Sequence, residues 1–266
     1  MKLQLGRGLR TGLFLRLSLV SILSLFLSGL HAADTPAAPA TKPLRVGVSP
    51  VFPPMIFKQR KTLSGAEVDL ARALGEHLRR RIEFVEVRWD DQVRALIENR
   101  TDIIMSSMSV TVPRQYVINF AQPYMVVAQM ALVRRDDKYQ YDLGFPQKPP
   151  GVIGVIQGTT GDFLVQRDFP KATCKTFDSG EEAVRALEKK KIALFIGDST
   201  LVWYLAGTHE AKGLSAVPNV LSEGALAWGL RKGDDALLVS VNQFVEKARK
   251  DGTFKRILQR WTAVDQ

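Results

Sequence analysis

The sequence predicts an α/β protein built as two lobes with a cleft between them, and three observations lead there. Val93-Arg94-Ala95-Leu96 returns as Val184-Arg185-Ala186-Leu187. Each copy runs without a gap into a β-type apolar segment, Ile103-Ile104-Met105 or Leu194-Phe195-Ile196, so each reads as a helix feeding a strand of a βαβ sheet. The strands then deliver polar groups, Ser106 and Ser107 in the first copy, Gly197 and Asp198 in the second. In open α/β sheets ligands sit beyond the carboxyl ends of the strands, so two related units could furnish one cleft. A chance match between amphipathic helices is the competing explanation of the repeat.

The elements follow in order. Leu44-Arg45-Val46-Gly47-Val48 alternates as a strand, and Val68, Ala71, Leu74 and Leu78 give residues 66–78 one apolar helical face. A strand over 82–87, the first repeat copy and a strand near 129–133 come next. Residues 136–150 hold four prolines or glycines and close on Pro149-Pro150, which predicts a loop. The second series opens with a strand over 152–156. The turn Gln157-Gly158-Thr159-Thr160-Gly161 then leads into a helix over 162–166. It continues with the second repeat copy, a helix over 200–206, a strand over 225–230 and a helix over 236–250. Asp251-Gly252-Thr253 breaks that helix before a terminal one ending near Trp261.

The 266 residues suffice for two medium lobes. Residues 1–32 carry Lys2, Arg7, Arg10 and Arg16 around an apolar run from Leu13 to Leu30, the layout of an export signal, with Ala32 and Ala33 as cleavage candidates and an uncleaved anchor as the alternative. Residues 33–43, rich in Ala, Pro and Thr, read as a tether. Of the net charge of +10, four positive charges lie in the signal; without them 33 Lys and Arg face 27 Asp and Glu, or +6. The basic runs Arg79-Arg80-Arg81 and Lys189-Lys190-Lys191 fall at helix ends, where they suit the dipole and water, so no nucleic-acid partner is expected. Cys174 is the sole cysteine, and beyond the signal only His77 and His209 remain. An internal disulfide and a thiolate metal cluster are excluded, and neither a metal nor a cofactor is expected.

Three places carry chemistry. Ser106 to Arg114 reads Ser-Ser-Met-Ser-Val-Thr-Val-Pro-Arg after an apolar strand, and offers a guanidinium with hydroxyls, the donors a small carboxylate needs. An exposed arginine beside a serine turn is the plainer alternative. Gly158-Thr159-Thr160-Gly161 before a helix offers backbone N–H groups to an anion, or is a simple glycine turn; it lacks the lysine of a nucleotide loop. Asp198 is either a counter-charge for an ammonium or the N-cap of the helix after it.

With these residues in place the chain resembles the extracellular solute-binding proteins of polar amino-acid ABC importers. The ordered matches are Leu44-Arg45-Val46-Gly47, Phe52-Pro53-Pro54, Gly65 to Ala71, Trp89-Asp90, Asp102 to Arg114, Phe120 to Tyr124, Gly229 to Asp234 and Asp251-Gly252-Thr253. The resemblance covers residues 43–262 and implies the two-lobed type II periplasmic binding protein fold. Residues 44–128 plus 224–266 would form lobe 1 and residues 129–223 lobe 2. It implies that Arg114 clamps a ligand carboxylate with Ser107 and Thr160, that Asp198 and Ser109 hold the ammonium, and that Phe52 and Trp89 sandwich the side chain. The partners it implies are a small zwitterion, an amino acid, and an inner-membrane ABC permease, for a periplasmic monomer.

Some positions depart from that family. Ser49 stands where basic- and amide-binding relatives carry Asp, Ala66 replaces Phe and Ala193 replaces Asp, which leaves the side-chain specificity open. A branch of the same fold consists of cyclohexadienyl dehydratases, with a general-acid Glu three residues after the second-lobe Asp. Here that position is Leu201, which cannot donate a proton, so the chain is not expected to be an enzyme. A sensory ligand-binding module is the remaining rival.

Overall fold

The computed structural model describes residues 42–141, 145 and 151–262, so the expected signal and all of the tether before Lys42 lie outside the described residues. The first series comprises β1 (Leu44–Val48), a small meander β2 (Val51–Phe52), β3 (Ile56–Gln59) and β4 (Thr62–Ser64), then α1 (Ala66–Leu78) and β5 (Ile82–Glu86). It continues with α2 (Gln92–Ile97), β6 (Ile103–Ile104), α3 (Val112–Val117) and β7 (Asn119–Phe120). A long strand, β8 (Met125–Arg134), leads to β9 (Ile153–Ile156), α4 (Thr160–Asp168), β10 (Cys174–Phe177), α5 (Gly180–Glu188), β11 (Leu194–Asp198) and α6 (Ser199–Thr208). The chain returns along β12 (Leu214–Leu226) to β13 (Gly229–Leu230), α7 (Asp235–Lys250) and α8 (Thr253–Thr262).

Two five-stranded sheets result. The first runs β5-β1-β6-β13-β7, with β1 parallel to β5 and β6 and with β13 antiparallel to β6 and β7. The second runs β10-β9-β11-β8-β12, with β9 parallel to β10 and β11 and with β8 antiparallel to β11 and β12. Each repeat copy contributes its helix, α2 or α5, and its central strand, β6 or β11, to a different sheet. The lobes meet through one antiparallel ribbon, in which Met125 pairs with Leu226, Ala128 with Glu223 and Gln129 with Ser222. The register shifts between Val217 and Ser222, just past Gln129, so the ribbon is regular at its first-lobe end and irregular inside the second lobe.

Helix boundaries follow local chemistry. The acidic residues Glu67 and Asp69 occupy the first turn of α1, and its C-cap, Arg79, closes it in a left-handed conformation. Thr111, Thr159 and Ser179 cap α3, α4 and α5 by accepting the backbone N–H of Arg114, Asp162 and Glu182. Apolar residues such as Leu44, Ile103 and Phe195 are fully buried in the cores. Two expectations need correction. The stretch 136–150 predicts a loop, but Arg135–Tyr141 forms a 3-10 helix whose Tyr141 packs on Phe145; residues 142–144 and 146–150 lie outside the described residues. The strand expected over 225–230 is split, because residues up to Leu226 pair in the second sheet and Gly229–Leu230 in the first. The run Cys174–Phe177, for which no element is predicted, is an edge strand with an exposed cysteine.

Gly65 turns the chain from the meander into α1 with φ +123°, and a Cβ there would overlap the Met55 carbonyl oxygen. Gly65→Ala is therefore expected to cost about 2 kcal/mol or more. Thermal denaturation checks this, with a Tm fall of roughly 4 °C or more expected at this chain length.

Candidate functional site

The elements above bring all seven candidate residues to one cavity or its wall. Phe52 ends β2 and is buried against Trp89, which lies in the short 3-10 turn Trp89–Asp91; the rings meet edge-to-face at 4.8 Å. Ser107 and Ser109 follow β6, and Arg114 projects from α3. From the other lobe come Thr160, the first residue of α4, and Asp198, the last of β11. A narrow cavity, with free space of about 20 Å³, is lined by Phe52, Trp89, Ser107, Ser109, Arg114, Thr160 and Asp198, with Ile156, Leu201 and Phe195 supplying its apolar wall. A wider opening of about 400 Å³ adjoins it, shares Trp89 and Ile156, and is rimmed by Glu86, Arg88, Asp90 and Asp178.

The lobes touch across the cleft through a carbonyl on the ligand side and through an ion pair at the rim, Arg88 to Asp178 at 3.8 Å. Gly158, held at φ 70°, presents its oxygen to the Trp89 indole N–H at 3.1 Å and to Arg114 Nη2 at 3.2 Å. Arg114 Nη1 donates to the Ser109 carbonyl at 2.8 Å, and its guanidinium lies 5.2 Å from the Trp89 ring centroid, a cation–π arrangement. The two carbonyls leave part of the donor fork for a carboxylate. Burial lowers the Arg114 pKa to about 10, and the charge of Asp198 opposes the shift, so Arg114 stays cationic at neutral pH.

Asp198 occupies the N-cap position of α6, yet its side chain makes no capping bond. It turns instead to Gln129 on β8, whose Nε2 donates to Asp198 Oδ1 and, at 3.0 Å, to Thr160 Oγ1. That geometry answers the capping alternative. Burial raises the Asp198 pKa to about 6, against the hydrogen bonds from Gln129 and Thr160 and the positive charge of Arg114. Gln129 was missed in the sequence, although a lone amide inside Val126-Val127-Ala128-Gln129-Met130-Ala131 is a readable signal, since a buried amide needs partners. Ser49 is inside as well. Its hydroxyl donates to the Val87 carbonyl at 2.8 Å and accepts from Gln92 Nε2 at 2.8 Å, so toward a ligand it can only accept.

Residues 44–264 match the family model of the bacterial extracellular solute-binding proteins, family 3, and the chain belongs to that family. A protein of Neisseria gonorrhoeae described as "Probable histidine-binding protein" is 30% identical over 238 residues, covering 87% of each chain. The "ABC transporter arginine-binding protein 1" of Escherichia coli (strain K12) is 26% identical, covering 89% of this chain and 98% of its own. Among solved structures, the ancestral amino acid-binding protein AncCDT-1, a precursor of cyclohexadienyl dehydratase, superposes with a TM-score of 0.73 at 32% identity, covering 82% of this chain and 94% of that one. The fold is the two-lobed type II binding protein fold with the cleft between lobes. Among the described residues no group of three or more His, Cys, Asp or Glu side chains could hold a metal ion, and no helix is long and apolar enough to cross a membrane.

The folded pKa of Asp198 lies above its ordinary 3.8, so its charged form is penalised in the fold. The sign is that stability is lost as pH rises from about 4 to about 6, and the loss is complete above that range. Asp198→Asn is expected to raise the Tm of the ligand-free protein at pH 7.5 and to leave it unchanged near pH 4, with at most about 3 kcal/mol involved. Scanning calorimetry at the two pH values checks this; equal shifts at both would contradict it.

Proposed function

We propose that the protein captures a small zwitterion, an amino acid, by closing its lobes over it, and passes it to an ABC importer from the periplasm. The observation that carries the reading is the placement of Arg114 and Asp198. Two charges of opposite sign, each desolvated, line one cavity from different lobes. A zwitterion supplies the missing partner to each at once, so it interacts more favourably with the closed arrangement and shifts the population toward it. Arg114, with the Ser107 and Thr160 hydroxyls, takes the carboxylate, while Asp198 and Ser109 take the ammonium. Phe52 and Trp89 enclose the side chain. Residues 44–128 plus 224–266 move as one lobe and 129–223 as the other. Two relatives described as binding histidine and arginine, one of them as part of an ABC transporter, support this reading.

The dehydratase reading has the AncCDT-1 likeness in its favour, but that structure is described as a binding protein. Leu201 lines the cavity, is 2% exposed, and stands where the resembling enzymes place their proton donor. Purified protein is expected to leave arogenate and prephenate unchanged. Turnover detected by chromatography would move the protein to the enzyme branch.

A thermal-shift screen of refolded protein against the common amino acids tests the binding reading. A ligand at 100 times its Kd adds about 2.7 kcal/mol. Arg114→Ala leaves a desolvated carboxylate unpaired, which costs about 2–5 kcal/mol, so a loss of at least tenfold in affinity is expected by calorimetry, and unchanged affinity would refute the clamp. Binding also requires Asp198 ionised. Affinity is therefore expected to fall below pH 6, approaching tenfold per pH unit, and Asp198→Asn is expected to abolish that dependence together with most of the binding.

A further inference from the structure

Outside the cavity, one buried carboxylate gathers three segments that matter to the site. Glu67, in the first turn of α1, is 1% exposed and has no cationic partner among its hydrogen bonds. Its Oε1 accepts the Ser107 backbone N–H at 2.9 Å and the Tyr124 hydroxyl at 2.6 Å, and its Oε2 accepts the Trp228 indole N–H at 2.9 Å. Burial raises its pKa, while these three donors oppose the shift. A side chain this well supplied with donors from distant segments fixes their relative positions, because losing its acceptor oxygens leaves buried donors unsatisfied.

The three donors occupy particular places. Ser107 is a candidate ligand residue held at φ 56°, a left-handed conformation that an L residue adopts only when its surroundings impose it. Tyr124 immediately precedes β8, and Trp228 follows the end of β12 by two residues, so they stand at the first-lobe ends of both strands of the ribbon that joins the lobes. The loop after Ser107 is stitched to the same ribbon. Val110 N–H donates to the Ala225 carbonyl at 2.8 Å, and the Met108 carbonyl accepts from Ala227 N–H at 3.1 Å. Tyr124 N–H in turn reaches the Leu226 carbonyl at 3.0 Å.

We infer that Glu67 is a positioning residue that locks the Ser107 segment of the cavity to both strands of the interlobe ribbon, so that movement of the ribbon and the shape of the ligand-binding loop are coupled through this carboxylate together with the Val110–Ala225 and Met108–Ala227 backbone bonds. Glu67 touches no ligand in this scheme. It acts by fixing Ser107, and it makes the first-lobe end of the hinge rigid, leaving the lobe rotation to the junction where Ala128 meets Gln129 and Glu223 meets Gly224. The ligand side of the inference rests on the binding reading above; the mechanical side does not.

Hydrogen–deuterium exchange of the intact, ligand-free protein tests it. Glu67→Gln keeps the size of the side chain but puts an amide donor against one of three donors. Exchange is expected to rise tenfold or more together over residues 107–110, 125–128 and 224–227, while β1 and β9 stay protected. Val241→Ala, a cavity in α7 that removes no hydrogen bond of this network, serves as the control and is expected to change exchange only in proportion to global stability. A Glu67→Gln profile that matches this control, or that loosens α1 alone, overturns the inference. Should Glu67→Gln not fold, Tyr124→Phe, which removes one donor and keeps the ring, is expected to show the same three segments loosening to a smaller extent, and no local change there overturns it as well. With L-arginine as the probe, Glu67→Gln is expected to weaken binding at least tenfold. If wild-type protein shows no L-arginine binding, the arginine arm bears on the binding reading alone, and the exchange profile still decides the role of Glu67.

Discussion

Desolvated opposite charges held on separate lobes are the interaction on which the site depends. Arg114 meets only carbonyl oxygens, those of Ser109 and Gly158, and Asp198 meets only a neutral amide and a hydroxyl. Neither has a full ionic partner within its own lobe among the described residues. Burial therefore moves both pKa values toward the neutral forms, and the shifts are held down at Asp198 by the Gln129 hydrogen bond and then by the charge of Arg114, and at Arg114 by the charge of Asp198. A site of this kind is unsatisfied when empty and satisfied by a zwitterion, which is how a static arrangement of charges becomes a preference for closure.

The fold supplies what that arrangement requires. Two sheets of similar construction place the carboxyl ends of β6 and β11 toward a shared cavity, and a two-stranded ribbon joins them. An antiparallel pair is stiff along its hydrogen-bonded length and compliant where pairing is interrupted, and the register shift past Gln129 puts the interruption inside the second lobe. Gln129 lies at that boundary and also orients Asp198. The position of the carboxylate is thus tied to the strand that crosses between the lobes. Gly158, whose positive φ turns its carbonyl into the cleft, joins the two lobes on the ligand side.

Much of the architecture was legible because periodicity is a local property. The helix over 66–78, the strand over 44–48 and the repeat at 93–96 and 184–187 all stand where their apolar spacing put them. The meander at 51–64 and the two-residue β7 were not, since segments that short carry too few residues to show a period. The split between Leu226 and Gly229 was invisible for a different reason. Both halves are apolar and extended, and only the choice of partner strand separates them.

By itself the sequence determined which polar residues stand at the ends of apolar strands: Ser107 after β6 with Arg114 beyond it, and Asp198 at the end of β11. Motif resemblance added Phe52 and Trp89. The tertiary structure alone decided that the Asp198 carboxylate bonds to Gln129 rather than capping α6, and that Gly158 faces Arg114. It also decided that Glu67 binds donors 40, 57 and 161 residues away. Such partners are chosen by how packed layers bring buried donors and acceptors together, and an unpaired buried group is costly enough to enforce the choice, but nothing in the local sequence pattern records it.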